Sequence, residues 1–258
     1  MIYQGFAGVY DELMTHAPYD EWVQWIQRHI KPNSAIIDVG CGTGEISLRL
    51  AAKGHMVTGI DLSEEMLAFA QQKAQAHKQS IQFLHQDMRE LEGFEQTFQA
   101  AVICCDSLNY LKNENDVKKT FKNMFQLLET GGVLLFDVHT PFKMEEVFPG
   151  STYADQDEEI SYIWQSDKGD HPFSVIHDLS FFVKDGDVYE RYDETHEQRT
   201  FPFETYAAFL ESAGFEQIEV TADFTNEAPQ ECAERYFISA KKPKTKTLFS
   251  LVAKMFNF

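Results

Sequence analysis

Asp38-Val39-Gly40-Cys41-Gly42-Thr43-Gly44-Glu45 is the stretch on which the reading of this chain turns. A short apolar run, Ala35–Val39, leads into it. An amphipathic stretch, Glu45–Lys53, leads out, with Ile46, Leu50 and Ala51 on its inward side. The expected order is strand, glycine turn, helix. Glycine lacks a Cβ, so the backbone can turn sharply and approach a ligand closely. The following helix offers unpaired N–H groups and the positive end of its dipole. Gly-x-Gly alone suits a phosphate or a carboxylate, and fits nicotinamide cofactors as well.

Outward from this turn, strands and helices alternate. His55–Ile60 predicts a second strand with Asp61 at its end. Ser63-Glu64-Glu65-Met66 predicts a capped helix start, with the helix running to about His77. Ile81–His85 predicts a third strand, closed by Gln86-Asp87-Met88. Ala100–Cys104 predicts a fourth, with Cys104 and Cys105 on opposite faces. Asp116–Leu128 predicts a helix stopped by Gly131-Gly132, and Val133–Val138 a fifth strand. Apolar strands separated by helices imply a parallel sheet covered on both sides. Upstream, residues 6–30 read as one helical segment with Trp22, Val23, Trp25, Ile26 and Ile30 on its apolar face, ended by Pro32.

The rhythm changes after Pro149. Ile160–Gln165, Phe173–Val183 and Val188–Thr195 favour strands, and Lys184-Asp185-Gly186-Asp187 carries the Asp-Gly signal of a tight hairpin. A helix at Phe203–Ala213, closed by Gly214, and strands at Phe215–Ala222 and Arg235–Ala240 complete the pattern. The expected class is α/β. Residues 1–149 and 201–240 would form the doubly wound domain, with a helical lid over 1–31. Residues 150–200 would be an antiparallel β insertion on the substrate side, and 241–258 a basic amphipathic tail.

Three details refine the ligand. The glycines run G-x-G-x-G, not G-x-G-x-x-G. Asp61 ends the second strand, where an acid accepts from a ribose diol. Asp87 ends the third, where an acid accepts from an exocyclic amine. A dinucleotide and S-adenosylmethionine both explain Asp61. Asp87 and the Gly131-Gly132 turn point to the second.

In combination, D-V-G-C-G-T-G-E, G-I-D-L-S-E-E-M-L, Q-D-M, D-S-L-N-Y and G-G-V-L-L-F-D resemble the class I, Rossmann-like S-adenosylmethionine-dependent methyltransferases, over most of residues 1–240. The resemblance implies a seven-stranded, mostly parallel sheet with a terminal antiparallel hairpin, and S-adenosylmethionine as cofactor. It implies that Gly40, Gly42 and Gly44 lie under the methionine and ribose part and that Asp61 binds the ribose hydroxyls. Leu62, Met66 and Met88 would sandwich the adenine, and Asp87 would meet its amino group. Cys105, Asp106 and Tyr110 would lie near the sulfonium, and Tyr10 would close over the cofactor. Asp38, Cys41 and Gln86 belong to the same motifs and join the cofactor-binding set.

Methyl transfer from a sulfonium is an in-line displacement, so the protein mainly aligns the acceptor and excludes water. A general base is needed only for an acceptor protonated at working pH. His139 and His196 are the catalytic candidates. Tyr19, Phe142, Trp164 and Tyr192 are candidates for an acceptor pocket, together with Phe201. Arg191 and Arg199 read either as a clamp for a substrate carboxylate or phosphate, or as neutralisers of the acids from Glu190 to Glu197. The stretch Glu194-Thr195-His196-Glu197-Gln198-Arg199 resembles one that recurs in this insertion among relatives. His171 and His177 have no accompanying ligand set, so no metal site is expected.

The bulk numbers bound the partner. The net charge is −19 over 258 residues, although Lys241–Phe258 holds five lysines and no acid. Such an acidic body repels polyphosphate, which disfavours a nucleic-acid substrate and favours a small-molecule methyl acceptor. Modification of a tRNA base or a protein, non-catalytic S-adenosylmethionine binding, and NAD-dependent oxidoreduction are the alternatives. No run approaches a membrane span, and no signal peptide is evident. Cys41, Cys104, Cys105 and Cys232 have no framework spacing, so a cytoplasmic, reduced protein is expected. The tail places Leu248, Leu251, Val252 and Met255 at helical spacing. It reads as a membrane- or partner-contacting helix, or as a terminus resting on the acidic body.

Overall fold

In the computed structural model, which describes residues 6–156 and 158–244, the chain runs α1 (Phe6–Leu13), α2 (Tyr19–His29), β1 (Ala35–Val39), α3 (Glu45–Ala52), β2 (Met56–Asp61), α4 (Glu64–Ala76) and β3 (Gln82–His85). It continues through β4 (Phe98–Ile103), α5 (Glu114–Leu127), β5 (Leu128–His139), β6 (Ser151–Gln156), β7 (Ile160–Lys168), β8 (Ser174–Asp185) and β9 (Val188–Arg199). It ends with α6 (Phe203–Ala213), β10 (Glu216–Ala222) and β11 (Arg235–Lys241). Seven strands form one sheet in the order β10-β11-β5-β4-β1-β2-β3. Its ladders are parallel except where β11 inserts antiparallel between β10 and β5.

The apolar strands read as continuous runs because both faces are buried. Side chains alternate across a strand, so Ile37, Leu134 and Phe136 enter one core with Phe121, Tyr206 and Leu210 of α5 and α6. Their neighbours Ile36, Val133 and Leu135 enter the other, with Trp22, Trp25, Ile26 and Leu50 of α2 and α3. Each such fully buried side chain contributes about 1.5–3 kcal/mol of transfer free energy. Ser63 caps α4 as expected, its hydroxyl accepting from the Met66 N–H.

The insertion is a separate antiparallel sheet, β6-β7-β8-β9. Its β8–β9 hairpin turns at Gly186-Asp187, between the paired Asp185 and Val188.

Four expectations need correction. The 6–30 segment is two helices, because Pro18 lacks the N–H to continue one; a short 3-10 turn, Met14–His16, fills the break. Gly131-Gly132 does not stop the helix. The chain has already turned extended at Leu128, and β5 runs through the glycines, where the Gly131 N–H donates to Lys242 O. Cys104 and Cys105 lie beyond β4, and Cys105 is left-handed instead of extended. The insertion has a fourth strand, β6, whose STYADQ sequence carries no alternation; pairing with β7 makes it a strand. Of the basic tail, residues 245–258 lie outside the described residues.

The chain leaves β1 toward β2 and β3 on one side and returns to β4 and β5 on the other. This switch point opens a crevice at the carboxyl ends of β1 and β4. Two elements cover it. Val9 of α1 packs on Ile160, Phe181 and Val183 of the insertion. Asn109, in the 3-10 turn Ser107–Tyr110 after β4, donates to Arg199 O of β9 at 2.9 Å.

Candidate active site

The glycine turn is held by the second strand. Gly40 N–H and Cys41 N–H both donate to Ile60 O, at 2.8 and 3.0 Å. Gly42 N–H donates to Asp61 Oδ2 at 2.8 Å, and Ser63 N–H to Oδ1 at 2.9 Å. A carboxylate accepts about four hydrogen bonds, so each oxygen keeps capacity. Gly40 and Gly42 both have positive φ, but for different neighbours. A Cβ at Gly40 would sit 2.7 Å from Ser107 Cβ, whereas one at Gly42 meets nothing within 4 Å. The space before Gly42 is open, and Leu62 stands 63% exposed after Asp61. Asp38 is buried beneath the turn and accepts from Ser47 Oγ at 2.6 Å; burial pushes its carboxyl up to about 7. Burial likewise pushes the Cys41 thiol up, which keeps it unreactive.

The third strand's end is more committed. Asp87 accepts a bidentate pair from Arg89, at 2.9 and 2.5 Å, and also the Arg89 N–H at 2.8 Å. The guanidinium holds this carboxyl below its ordinary range. The Gln86 amide clasps the Glu92 backbone from both sides, at 3.1 Å each. Met66 opens α4, half-buried. Met88 packs partly into the core, and its methyl would lie 3.6 Å from a Cβ at Gly40.

After β4, Cys105 and Asp106 are consecutive left-handed residues with φ 55° and 52°. Such backbone is costly without glycine. A buried carboxylate compensates: Asp137 accepts the Cys105 N–H at 2.9 Å and the Asp106 N–H at 3.1 Å. Asp137 also takes Trp22 Nε1–H at 2.7 Å and an ion pair with Arg235. Arg235 reaches on to Asp106 Oδ1 at 3.0 Å, and Gln198 Nε2 donates to Asp106 Oδ2 at 2.8 Å. Burial would raise the Asp106 carboxyl, but His139, Arg235 and Gln198 together hold it far below its ordinary range.

His139 is buried, 3.6 Å from Asp106, and burial holds its pKa at about 4. It meets the Phe148 ring edge-on at 5.1 Å, as His177 does at 4.8 Å. Trp164 donates to His177 Nδ1 at 3.0 Å. Tyr110, 46% exposed, is bonded to His196 Nδ1 at 3.1 Å. Burial, then the charges of Cys105, Tyr19 and Asp106, raise the Tyr10 phenol, so Tyr10 lies near this loop. Tyr19 is buried beside it, with Arg49 stacked on its ring. Asp11 ties α1 down, accepting from Thr43 of the turn and from Lys73 at 2.7 Å.

Gly40, Gly42, Asp61, Cys105 and Asp106 thus lie at the carboxyl ends of β1, β2 and β4, with His139 3.6 Å from Asp106 and His196 3.1 Å from Tyr110, while Trp164 reaches His177. Arg191 does not join them: it is exposed and paired with Asp193 at 2.8 Å. Arg199 donates to Lys112 O and Pro172 O and stacks on Phe201, which makes it a strut. Tyr192 packs toward α1 and donates to Glu190. Phe142 begins a π-helical turn, Lys143–Val147, half-buried. Sequence reasoning missed Asp137, Arg235, Gln198 and His177. The signals were an acid ending an apolar strand and an arginine opening the last one.

A doubly wound sheet with a glycine turn, an acid after β2 and a covered loop after β4 defines a Rossmann-like methyltransferase. A methyltransferase-domain family model matches residues 36–132. YqeM of Bacillus subtilis (strain 168), named as a methyltransferase, is 62% identical over 95% of this chain and 99% of its own. The crystal structure of an S-adenosylmethionine-dependent methyltransferase from Clostridium acetobutylicum is 29% identical, with a TM-score of 0.83 over 92% of this chain and 98% of that one. CalS10, an amino pentose methyltransferase of Micromonospora echinaspora solved with S-adenosylmethionine bound, shares the fold at 21% identity and TM-score 0.72, over 94% and 98%. The chain belongs to the S-adenosylmethionine-dependent methyltransferase family. No helix among the described residues is long and apolar enough to cross a membrane.

Proposed function

We propose that this protein binds S-adenosylmethionine in the crevice above β1, β2 and β4 and methylates a small molecule held under the β9 side of the insertion. The open face of Gly42, beside the spare acceptor capacity of Asp61 and the exposed Leu62, carries this reading. Asp61 would orient the ribose hydroxyls; Leu62, Met66 and Met88 would flank the adenine. Asp87 would reach the adenine amine only on lone pairs that Arg89 leaves, so its share is smaller. When bound, the cofactor supplies a methyl group on a sulfonium, already a good leaving group. The protein's part is alignment and dryness. Tyr10 and Tyr19 from the helical cover, and Tyr110 and Gln198 from the other side, close the space around Asp106.

The acidic body favours a small acceptor over tRNA, and the amino pentose named for CalS10 is consistent with this. The four unpaired cysteines suit a cytoplasmic setting. The test is release of S-adenosylhomocysteine with a deproteinised metabolite extract, with total tRNA and with whole protein. Release with the first alone is expected. Release only with tRNA or protein would contradict the small-molecule reading.

A further inference from the structure

We infer that the methyl acceptor is a small, oxygen-bearing amine, its neutral nitrogen set against Asp106 and one of its oxygens on the Nε2–H of His177. This rests on the methyltransferase reading above and concerns the acceptor alone.

The first ground is charge. Asp106 and Asp137 share one guanidinium, Arg235, so the cluster carries one uncompensated negative charge. It is largely shielded from water: Asp137 is fully buried, and the Arg235 and Asp106 side chains are 15% and 22% exposed. The nearby Lys143 is spoken for by Glu234 at 3.1 Å. A buried, unbalanced carboxylate calls for one cation. Asp106 is the acid with room, since each oxygen has one N–H donor within hydrogen-bond distance.

The second ground is a buried donor. His177 Nδ1 has Trp164 Nε1–H at 3.0 Å and Ser166 Oγ at 2.8 Å; the indole can only donate and the hydroxyl can donate as well, which assigns Nδ1 as the acceptor without a proton. Neutral His177 therefore holds its proton on Nε2. That N–H is buried, on a residue 3% exposed, and has no hydrogen-bond partner. Gln198 is the ring's polar neighbour, with its own amide N–H committed to Asp106 at 2.8 Å, and Asp106 acts on the same ring. An unmet buried donor is costly, and an oxygen of the acceptor would meet it.

The third ground is the fate of the proton. With an amine, the nitrogen lone pair forms the N–C bond as the C–S bond breaks and its electrons stay on sulfur. The positive charge passes from sulfur to nitrogen inside the same negatively charged site. The new ammonium gives its proton to water after release, so no base is required. A hydroxyl acceptor must instead give its proton to a base during the step. The groups at the site are weak bases for that proton: Asp106 is held far below its ordinary range. His139, His177 and His196 are held below their ordinary range by burial, and Asp137 already accepts four donors.

The test has two arms. Protein saturated with S-adenosylhomocysteine, a neutral thioether, is titrated with trimethylammonium, and so is protein saturated with S-adenosylmethionine. Binding at least tenfold tighter in the first is expected, and Asp106→Asn should bring the two within twofold. Equal affinities in the wild type would overturn the charge argument. The second arm uses only wild-type protein, with deuteromethyl-labelled S-adenosylmethionine in a metabolite extract. A product labelled on nitrogen is expected. Label on oxygen, sulfur or carbon, or no labelled small molecule, would overturn the proposal. Failure of S-adenosylhomocysteine itself to bind would instead sink the cofactor reading beneath it.

Discussion

The Asp61 carboxylate accepts the Gly42 N–H at 2.8 Å, so the acid after the second strand braces the turn after the first. The same side chain is therefore scaffold and candidate ligand. Asp61→Ala should lose both functions. The loss of charge-assisted hydrogen bonds, about 1.5–3 kcal/mol each, should weaken S-adenosylhomocysteine binding by at least tenfold. Asp61→Asn, which keeps one acceptor, should fall between. An alanine variant with wild-type affinity by equilibrium dialysis would refute the ribose assignment.

The two glycines should separate stability from binding. Gly40→Ala drives a Cβ into Ser107, so its melting temperature should fall by several degrees. Gly42→Ala meets open space and pays only left-handed strain, about 1–2 kcal/mol. Its methyl would instead occupy the crevice, so affinity for S-adenosylhomocysteine should fall more than stability does. The opposite ranking in thermal melts and titrations would count against the crevice.

Removing Arg235 should cost far more than removing an exposed arginine. Arg235→Met leaves Asp106 and Asp137 facing each other without their cation, a loss of about 3–5 kcal/mol. Arg191→Met, at an exposed pair, should cost under about 1 kcal/mol. Urea unfolding of both variants checks the contrast, and similar midpoints would contradict the buried network.

Arg199 should behave as a strut. Its guanidinium serves two backbone carbonyls, so Arg199→Ala should lower the melting temperature and reduce cofactor and acceptor use together. A variant of normal stability with turnover selectively lost would restore the substrate-clamp reading.

Stability should decline on mild acidification. His139 and His177 are held at about 4 by burial, whereas an unfolded histidine titrates near about 6.5. Below that value the unfolded chain takes protons the folded chain refuses. Their contribution is thus complete above pH ~6.5 and lost as pH falls toward ~4, up to about 3 kcal/mol each. His177→Gln should flatten the dependence of melting temperature on pH in that window. An unchanged slope would show that His177 is not buried neutral.

Strands were legible where the chain is apolar on both faces, as at Ile36-Ile37 and Leu134-Leu135. The glycine turn and Asp61 were legible because their chemistry is local. The cluster around Asp106 was not: Arg235 lies 129 residues away and Gln198 92. Neither sits in a pattern that distinguishes a buried charge from a surface one. The same limit made Arg191 and Arg199 look alike, although one faces water and the other braces a loop. Cys105 read as part of a strand-like run because only Asp137, from another strand, makes the left-handed backbone at Cys105 and Asp106 tolerable.

The most direct measurement is a calorimetric titration of the protein with S-adenosylmethionine and, separately, with NADH. One saturable site for S-adenosylmethionine, weakened in Gly42→Ala, with no heat from NADH, is the expected result. Binding of the dinucleotide with none of the sulfonium compound would contradict the assignment of the crevice.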